Sequence, residues 1–396
     1  MLFENDNKKH RKRSYYPFSK NYPSKSDNIY AIGESRTRSI KEKRNRVIFY
    51  CSLVVLFAVV FVVTSVALSL SRKPLTDVDA TKASEYDGKL KAYYMPDDAL
   101  GGGIAFSLFK TQLINAKANA VLIEFKGPDG RLNYKSGLQS VAEIGADSTA
   151  YDAANSVIKQ LKDDGYKIIA RINCFDDTLA ASMLVSAAVS EADGSMWLDK
   201  SAQDDGNPWL NPYSKQAQEY LLSIIGESVS LGADVVLLDS VSFPKSDRGD
   251  RAVFGGEQES LESRNAVLHS FVKKAAEACG EVPVAVYLTA DGALNGNQTL
   301  YEGSMFDSEA LFNAVDLRTD AVDGIITIDG RSIEKKDINE NTLIQLSVPI
   351  LTQKLDDNFT TKGIIPIVDD EIYIATLENM GIENYIIIKS ESQQQQ

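Results

Sequence analysis

Eight short apolar runs, separated by longer helical patterns, constrain this chain more than any other feature. They are "LKAYYM" (90–95), "NAVLIEF" (119–125), "YKIIARINCF" (166–175), "ADVVLLD" (233–239), "VPVAVYL" (282–288), "VDGIITID" (322–329), "KGIIPIV" (362–368) and "ENYIIIK" (383–389). Runs this short and rich in Val, Ile and Leu read as strands buried on both faces, the pattern of parallel sheets. Between them, stretches such as "AANSVIKQLKDDG" and "KQAQEYLLSIIGESVSLG" are apolar at three- and four-residue spacing and close on glycine. Strictly alternating strands and helices imply an α/β fold with a parallel sheet. An eightfold count predicts the closed (β/α)8 barrel, TIM-like, over residues 89–390. A doubly wound open sheet is the competitor. No Gly-x-Gly-x-x-Gly follows a strand, and "LGGGIAF" lacks the Gly-Lys-Ser/Thr of a phosphate loop.

The segment before the barrel is unlike it. Residues 1–46 hold thirteen Lys and Arg against five Asp and Glu, so the net charge of −13 hides a basic tail and a strongly acidic remainder. Residues 47–71, "VIFYCSLVVLFAVVFVVTSVALSLS", carry no charge, and about 20 apolar residues suffice to cross a bilayer. A cleaved signal peptide would have a shorter apolar region nearer the N-terminus. Basic residues cluster ahead of the span, which orients the N-terminus to the cytoplasm. The expected order is a disordered cytoplasmic tail (1–46), a transmembrane helix (47–71), a stem (72–88), the extracellular barrel (89–390) and a disordered polar end (391–396). The basic tail suits anionic lipid better than nucleic acid. Cys51 lies in the span, and Cys174 and Cys279 fall at opposite ends of the predicted barrel, too far apart to bridge.

Working residues of such a barrel project from the C-terminal ends of its strands. Those ends read Glu124, Arg171, Asp176, Asp177, Asp239, Asp291, Asp329, Asp369 and Asp370. Histidine is confined to His10 and His269, which excludes a Ser-His-Asp triad or a multi-histidine zinc centre. Carboxylate chemistry remains, and no cofactor is implied. Glycoside hydrolysis needs a proton donor and a second carboxylate about 5–9.5 Å away. Glu124 on strand 2 and Asp239 on strand 4 are two strands apart, about 9–10 Å before the side chains converge. Glu124 is therefore expected as acid/base and Asp239 as nucleophile or stabiliser. The competing structural reading pairs Glu124 with Arg171 and gives Asp239 to loop amides. Sugar sites also use aromatic platforms. Trp197, Trp209 and Tyr213 share the segment between strands 3 and 4, and Tyr93 and Tyr94 end strand 1. Pinning of a long loop is the alternative use of the tryptophans. A divalent metal held by Glu124, Asp239 and further acids is a third option.

The strings "GYKIIARINCFDD", "DGSMWLD", "WLNPY" and "LGADVVLLDSVSFP", in this order, resemble the glycosyl-hydrolase domain family of bacterial TIM-barrel proteins, formerly a domain of unknown function. In that family strand 2 ends "VVIDVK", strand 3 reads "ARIVVF", a W-x-NPY loop follows and strand 4 reads "FDEIQFDYIRFP". The resemblance is sharpest over 119–244 and implies a TIM barrel acting on cell-wall or extracellular polysaccharide, peptidoglycan included. Carried over position by position, it marks Glu124, Arg171, Asn211, Pro212, Tyr213 and Asp239. The chain departs from the pattern at Val235, Ser240 and Ser242, where the family has Glu, Tyr and Arg. Strands 6, 7 and 8 also lack the family's "PMVYPSHY", "PWLQ" and closing aromatic. Such losses keep open a non-catalytic barrel that binds wall glycan or serves as an envelope scaffold.

Overall fold

The computed structural model describes residues 88–147, 152–257, 262–357 and 362–389. The expected tail, membrane span, nearly all of the stem and the polar C-terminal end lie outside the described residues. Among the described residues, no helix is long and apolar enough to cross a membrane.

Among the described residues ten strands follow in chain order: β1 (Lys91–Tyr94), β2 (Ala120–Lys126), β3 (Lys167–Asn173), β4 (Val235–Asp239), β5 (Val284–Thr289), β6 (Phe312–Asp316), β7 (Ile325–Ile328), β8 (Arg331–Glu334), β9 (Gly363–Val368) and β10 (Tyr385–Ile387). Eight of them close a parallel barrel in the order β1-β10-β9-β6-β5-β4-β3-β2. Period-two alternation sorts each barrel strand into two sets. Ala92, Leu122, Ile169, Val235, Leu237, Ala285, Ala314, Ile365, Ile367 and Ile386 fill the interior. Val121, Ile168, Val236, Leu238 and Val286 point outward into the larger core beneath the helices. Both faces of β4 are thereby buried, which accounts for its unbroken apolar run. The helices Lys215–Ser230 and Arg264–Cys279 start where Ser214 and Ser263 accept the amides of Ala217 and Ala266. Cys174 and Cys279 are both buried free thiols.

The closed barrel is as expected, but its sixth strand is not. Residues 322–329 do not join it. Ile325–Ile328 pairs antiparallel with Arg331–Glu334, a hairpin inserted between β6 and β9. Asp329 and Gly330 at its tip both have positive φ, 50° and 71°, the Asp-Gly signature of a tight hairpin turn. Asp329 thus belongs to a turn and not to a barrel strand end. The true sixth strand, Phe312–Asp316, is interrupted by Asn313 on its outer face. That buried amide donates to the Phe306 carbonyl at 3.0 Å, and a polar residue inside so short a run masks the strand.

Candidate active site

In an eight-stranded barrel, inward residues form layers of four drawn from alternate strands. Period-two extension of the interior set, with the observed register, puts Glu124 of β2, Asp239 of β4, Asp316 of β6 and Ile388 beyond β10 in the uppermost layer. Directly beneath lie Tyr94, Arg171, Tyr287 and Ile367 of the odd-numbered positions. Three carboxyl groups therefore face one another across the mouth. Neighbours in such a layer have Cα atoms about 10 Å apart, and their inward side chains narrow the gap.

Two of the three carboxylates are clasped. Arg171 donates Nε and Nη2 to Asp239 Oδ2 at 2.9 and 2.5 Å, and the Ser240 amide donates to Oδ1 at 2.6 Å. Ser240 holds that position with φ at 50°, a left-handed conformation that costs a non-glycine residue about 1 kcal/mol. Asp316, fully buried, accepts Arg318 Nε at 2.9 Å, Arg318 Nη2 at 2.6 Å, the Arg318 amide at 3.1 Å and the Tyr287 hydroxyl at 2.8 Å.

Glu124 is different. Among the described residues no donor reaches its carboxyl group. Burial pushes its proton affinity up, the charge of Arg171 pulls it down, and Asp97, Asp239 and Asp129 push it up again, leaving it above the ordinary carboxyl range. The register of β2 on β3 slips between Glu124 and Lys126, a bulge of the kind that re-aims a side chain beside a working site. Buried Lys126 anchors the bulge by donating to the Asn173 carbonyl at 2.8 Å and pairing with buried Asp177 at 2.9 Å. Gly127 leaves the necessary room, since a Cβ there would lie 3.0 Å from Glu124 Oε1. The competing structural reading holds in one half only: Asp239 does accept a loop amide, that of Ser240, but Arg171 forks onto Asp239 and not onto Glu124, which keeps an unbonded carboxyl.

The aromatic and loop residues divide differently from the expectation. Trp197 is fully buried and donates Nε1 to the Arg248 carbonyl at 2.9 Å, so it pins the long loop after β3 and offers no face to a sugar. Asn211 is buried, bonding the Gly255 carbonyl at 2.8 Å and accepting the Tyr213 amide at 3.0 Å. Trp209 is half-buried, packed against the outer core. Tyr213 donates its hydroxyl to the Glu262 carbonyl at 3.0 Å and packs on Phe243. These four brace loops. Tyr94 alone among the expected aromatics lines the mouth, with its hydroxyl on Asp97 at 3.1 Å.

Three further carboxyl groups stand at the C-terminal face: Asp176 and Asp369, which are among the strand-end acids of the sequence, and Glu340, which is not. Asp176, just beyond β3, is pushed up to about 6 by burial, against the pull of Lys126 and with Asp199 and Asp239 adding to it. Asp369, just beyond β9, donates its amide to Glu340 Oε1 at 2.9 Å. Burial and the neighbouring Asp369 carboxyl push Glu340 up to about 8. The signal for Asp176 and Asp369 was present in their strand-end positions, whereas nothing local marks Glu340 at the start of its helix. Asp291 lies inside the short helix Ala290–Asn295. Among the described residues, no group of three or more His, Cys, Asp and Glu side chains could hold a metal ion. A cavity of about 790 Å³ opens among the loops after β3, β4 and β5, lined by Asp199, Lys245, Ser246, Arg248 and Thr299.

The fold and these side chains define a (β/α)8 barrel with an acid-lined C-terminal mouth. Residues 105–298 match the family described as "Putative glycosyl hydrolase domain", in agreement with the resemblance carried by the strand-2 to strand-4 motifs. Among solved structures, the chain is similar to a hypothetical protein from Ruminiclostridium thermocellum ATCC 27405, at 25% identity over 49% of this chain and 96% of that one, with a TM-score of 0.44. It is similar also to the glycoside hydrolase domain of PelA from Pseudomonas aeruginosa, at 12% identity, 76% and 94% coverage and a TM-score of 0.38. A third is the GH20 exo-β-N-acetylglucosaminidase of Vibrio harveyi, at 13% identity, 71% and 41% coverage and a TM-score of 0.44. No curated protein matches the chain.

Proposed function

We propose that this protein is a membrane-anchored, glycoside hydrolase-like barrel acting on cell-wall or extracellular polysaccharide. In this reading residues 47–71 hold it in the membrane, with the basic tail cytoplasmic and the barrel outside. One observation carries the chemistry: Glu124 has an unbonded carboxyl of raised proton affinity, in the same layer as the Arg171-held carboxylate of Asp239. The unbonded carboxyl suits a proton donor, and the carboxyl that Arg171 and the Ser240 amide hold in place suits its partner across the scissile bond. Glu124 protonates the departing glycosidic oxygen. Asp239 stabilises the positive charge that develops at the anomeric carbon.

Reducing-sugar release from a panel of wall glycans tests the proposal. Glu124→Gln is expected to lower the rate by roughly 10²–10⁴-fold, the worth of a positioned general acid, and Asp239→Asn to lower it as well. Release that is unchanged in both variants would sink it.

The clasp on Asp239 favours a second reading, a barrel that binds glycan without cleaving it, because Arg171 offsets the charge a nucleophile would need. Binding of glycan fragments by the wild-type chain with no release under any condition would select that reading.

A further inference from the structure

We propose that Asp316, on the opposite side of the mouth from Glu124, is a positioning residue of this site that acts through Tyr287 and Arg171. The inference rests on the reading of Glu124 as the proton donor and deepens it. Arg318 supplies three donors to the Asp316 carboxylate, from Nε, Nη2 and its amide. A carboxylate offers about four acceptor positions, and the Tyr287 hydroxyl takes the fourth, on Oδ2. What the fourth bond does is hold the Tyr287 ring in place. The guanidinium carbon of Arg171 lies 5.3 Å from the centroid of that ring, within cation–π range. Arg171 then forks onto Asp239.

A continuous ladder thus crosses the mouth: Arg318, Asp316, Tyr287, Arg171, Asp239. It matters to Glu124 because of what surrounds that carboxyl. Asp97 beyond β1, Asp129 beyond β2 and Asp239 on β4 all face it with negative charge, and Tyr94 on β1 stands beside it. Arg171 on β3 is the one cation among these groups. Burial acts most strongly on Glu124, and among the charged groups Arg171 acts most. Where its guanidinium stands therefore shifts how tightly Glu124 holds its proton, and the ladder holds it there. Asp316 was hidden from a sequence reading by the misplaced sixth strand.

The test is a pH profile of carboxyl modification on the full chain in detergent micelles. A water-soluble carbodiimide couples glycine ethyl ester to protonated carboxyls, and peptide mass spectrometry reads the labelling at residue 124, with Glu124→Gln as the assignment control. Tyr287→Leu removes the ring and Asp316→Asn weakens its anchor. Both are expected to move the Glu124 midpoint upward by about half a pH unit or more, since the favourable cation is less well held. Tyr287→Phe keeps the ring and should move it less than Tyr287→Leu. Midpoints unchanged to within about 0.2 unit in Tyr287→Leu, with only the melting temperature lowered, would make the ladder a structural brace and overturn the proposal. Should Asp316→Asn fail to fold, the two Tyr287 variants decide alone. If the midpoints move but the wild-type chain releases no sugar from any glycan, the positioning inference stands and the hydrolase reading falls.

Discussion

Glu124 and Asp239 are both carboxyl groups at strand ends, yet Arg171 and a loop amide clasp only Asp239. Residue type and strand-end position were enough to select both, and to select Arg171. Which of them Arg171 reaches is what separates the two, and a one-dimensional pattern could not decide that. Glu340 shows the limit more sharply. It opens a helix as an ordinary first-turn acid, and only tertiary burial, with the charges of Asp369 and Asp316 adding to it, lifts it to about 8. The consequence for stability has a definite sign. Between the unfolded carboxyl value of about 4.3 and the folded value, the native chain keeps a proton that the unfolded chain has released, so stability falls as pH rises through that window. Glu340→Gln removes this contribution. Its urea midpoint, followed from pH 5 to 8, should decline less steeply than that of the wild type; parallel slopes would show that the proton is not held there.

Among the elements, local composition identified seven of the eight barrel strands and misplaced one. The Ile-rich run 325–328 has stronger strand character than Phe312–Asp316, but it sits outside the barrel, with Ile325 exposed and Ile326 buried. The Asp329-Gly330 turn was the available clue to a hairpin. The distinction is measurable in urea denaturation. Val315→Asp buries an unpaired charge against the outer core and should cost several kcal/mol or prevent folding. Ile325→Asp, on the exposed face, should change stability by no more than about 0.5 kcal/mol. Comparable losses at both sites would put the hairpin in the folding core after all. The β2 bulge and the Lys126–Asp177 pair that anchors it were equally invisible beforehand, because a bulge depends on how two strands meet.

At the scale of the whole molecule, the charge-free run 47–71 predicts that the full chain sediments with membranes and is released by detergent but not by high salt. A chain beginning at residue 88 should stay in the supernatant. Release of the full chain by salt alone would replace the anchor with electrostatic attachment through the basic tail. The sequence by itself determined the plan: period-two and period-three-to-four patterns alternate along the chain, and each is set by local backbone geometry that neighbouring residues control. It also determined that acids, and not histidines or cysteines, would stand at the strand ends. The tertiary structure alone decided which acids share a layer, which are clasped by arginine and which tryptophans are buried. Those outcomes depend on the stagger with which eight strands close, because closure brings residues from β2, β4 and β6 to one level of one mouth and lets burial and charge act among them.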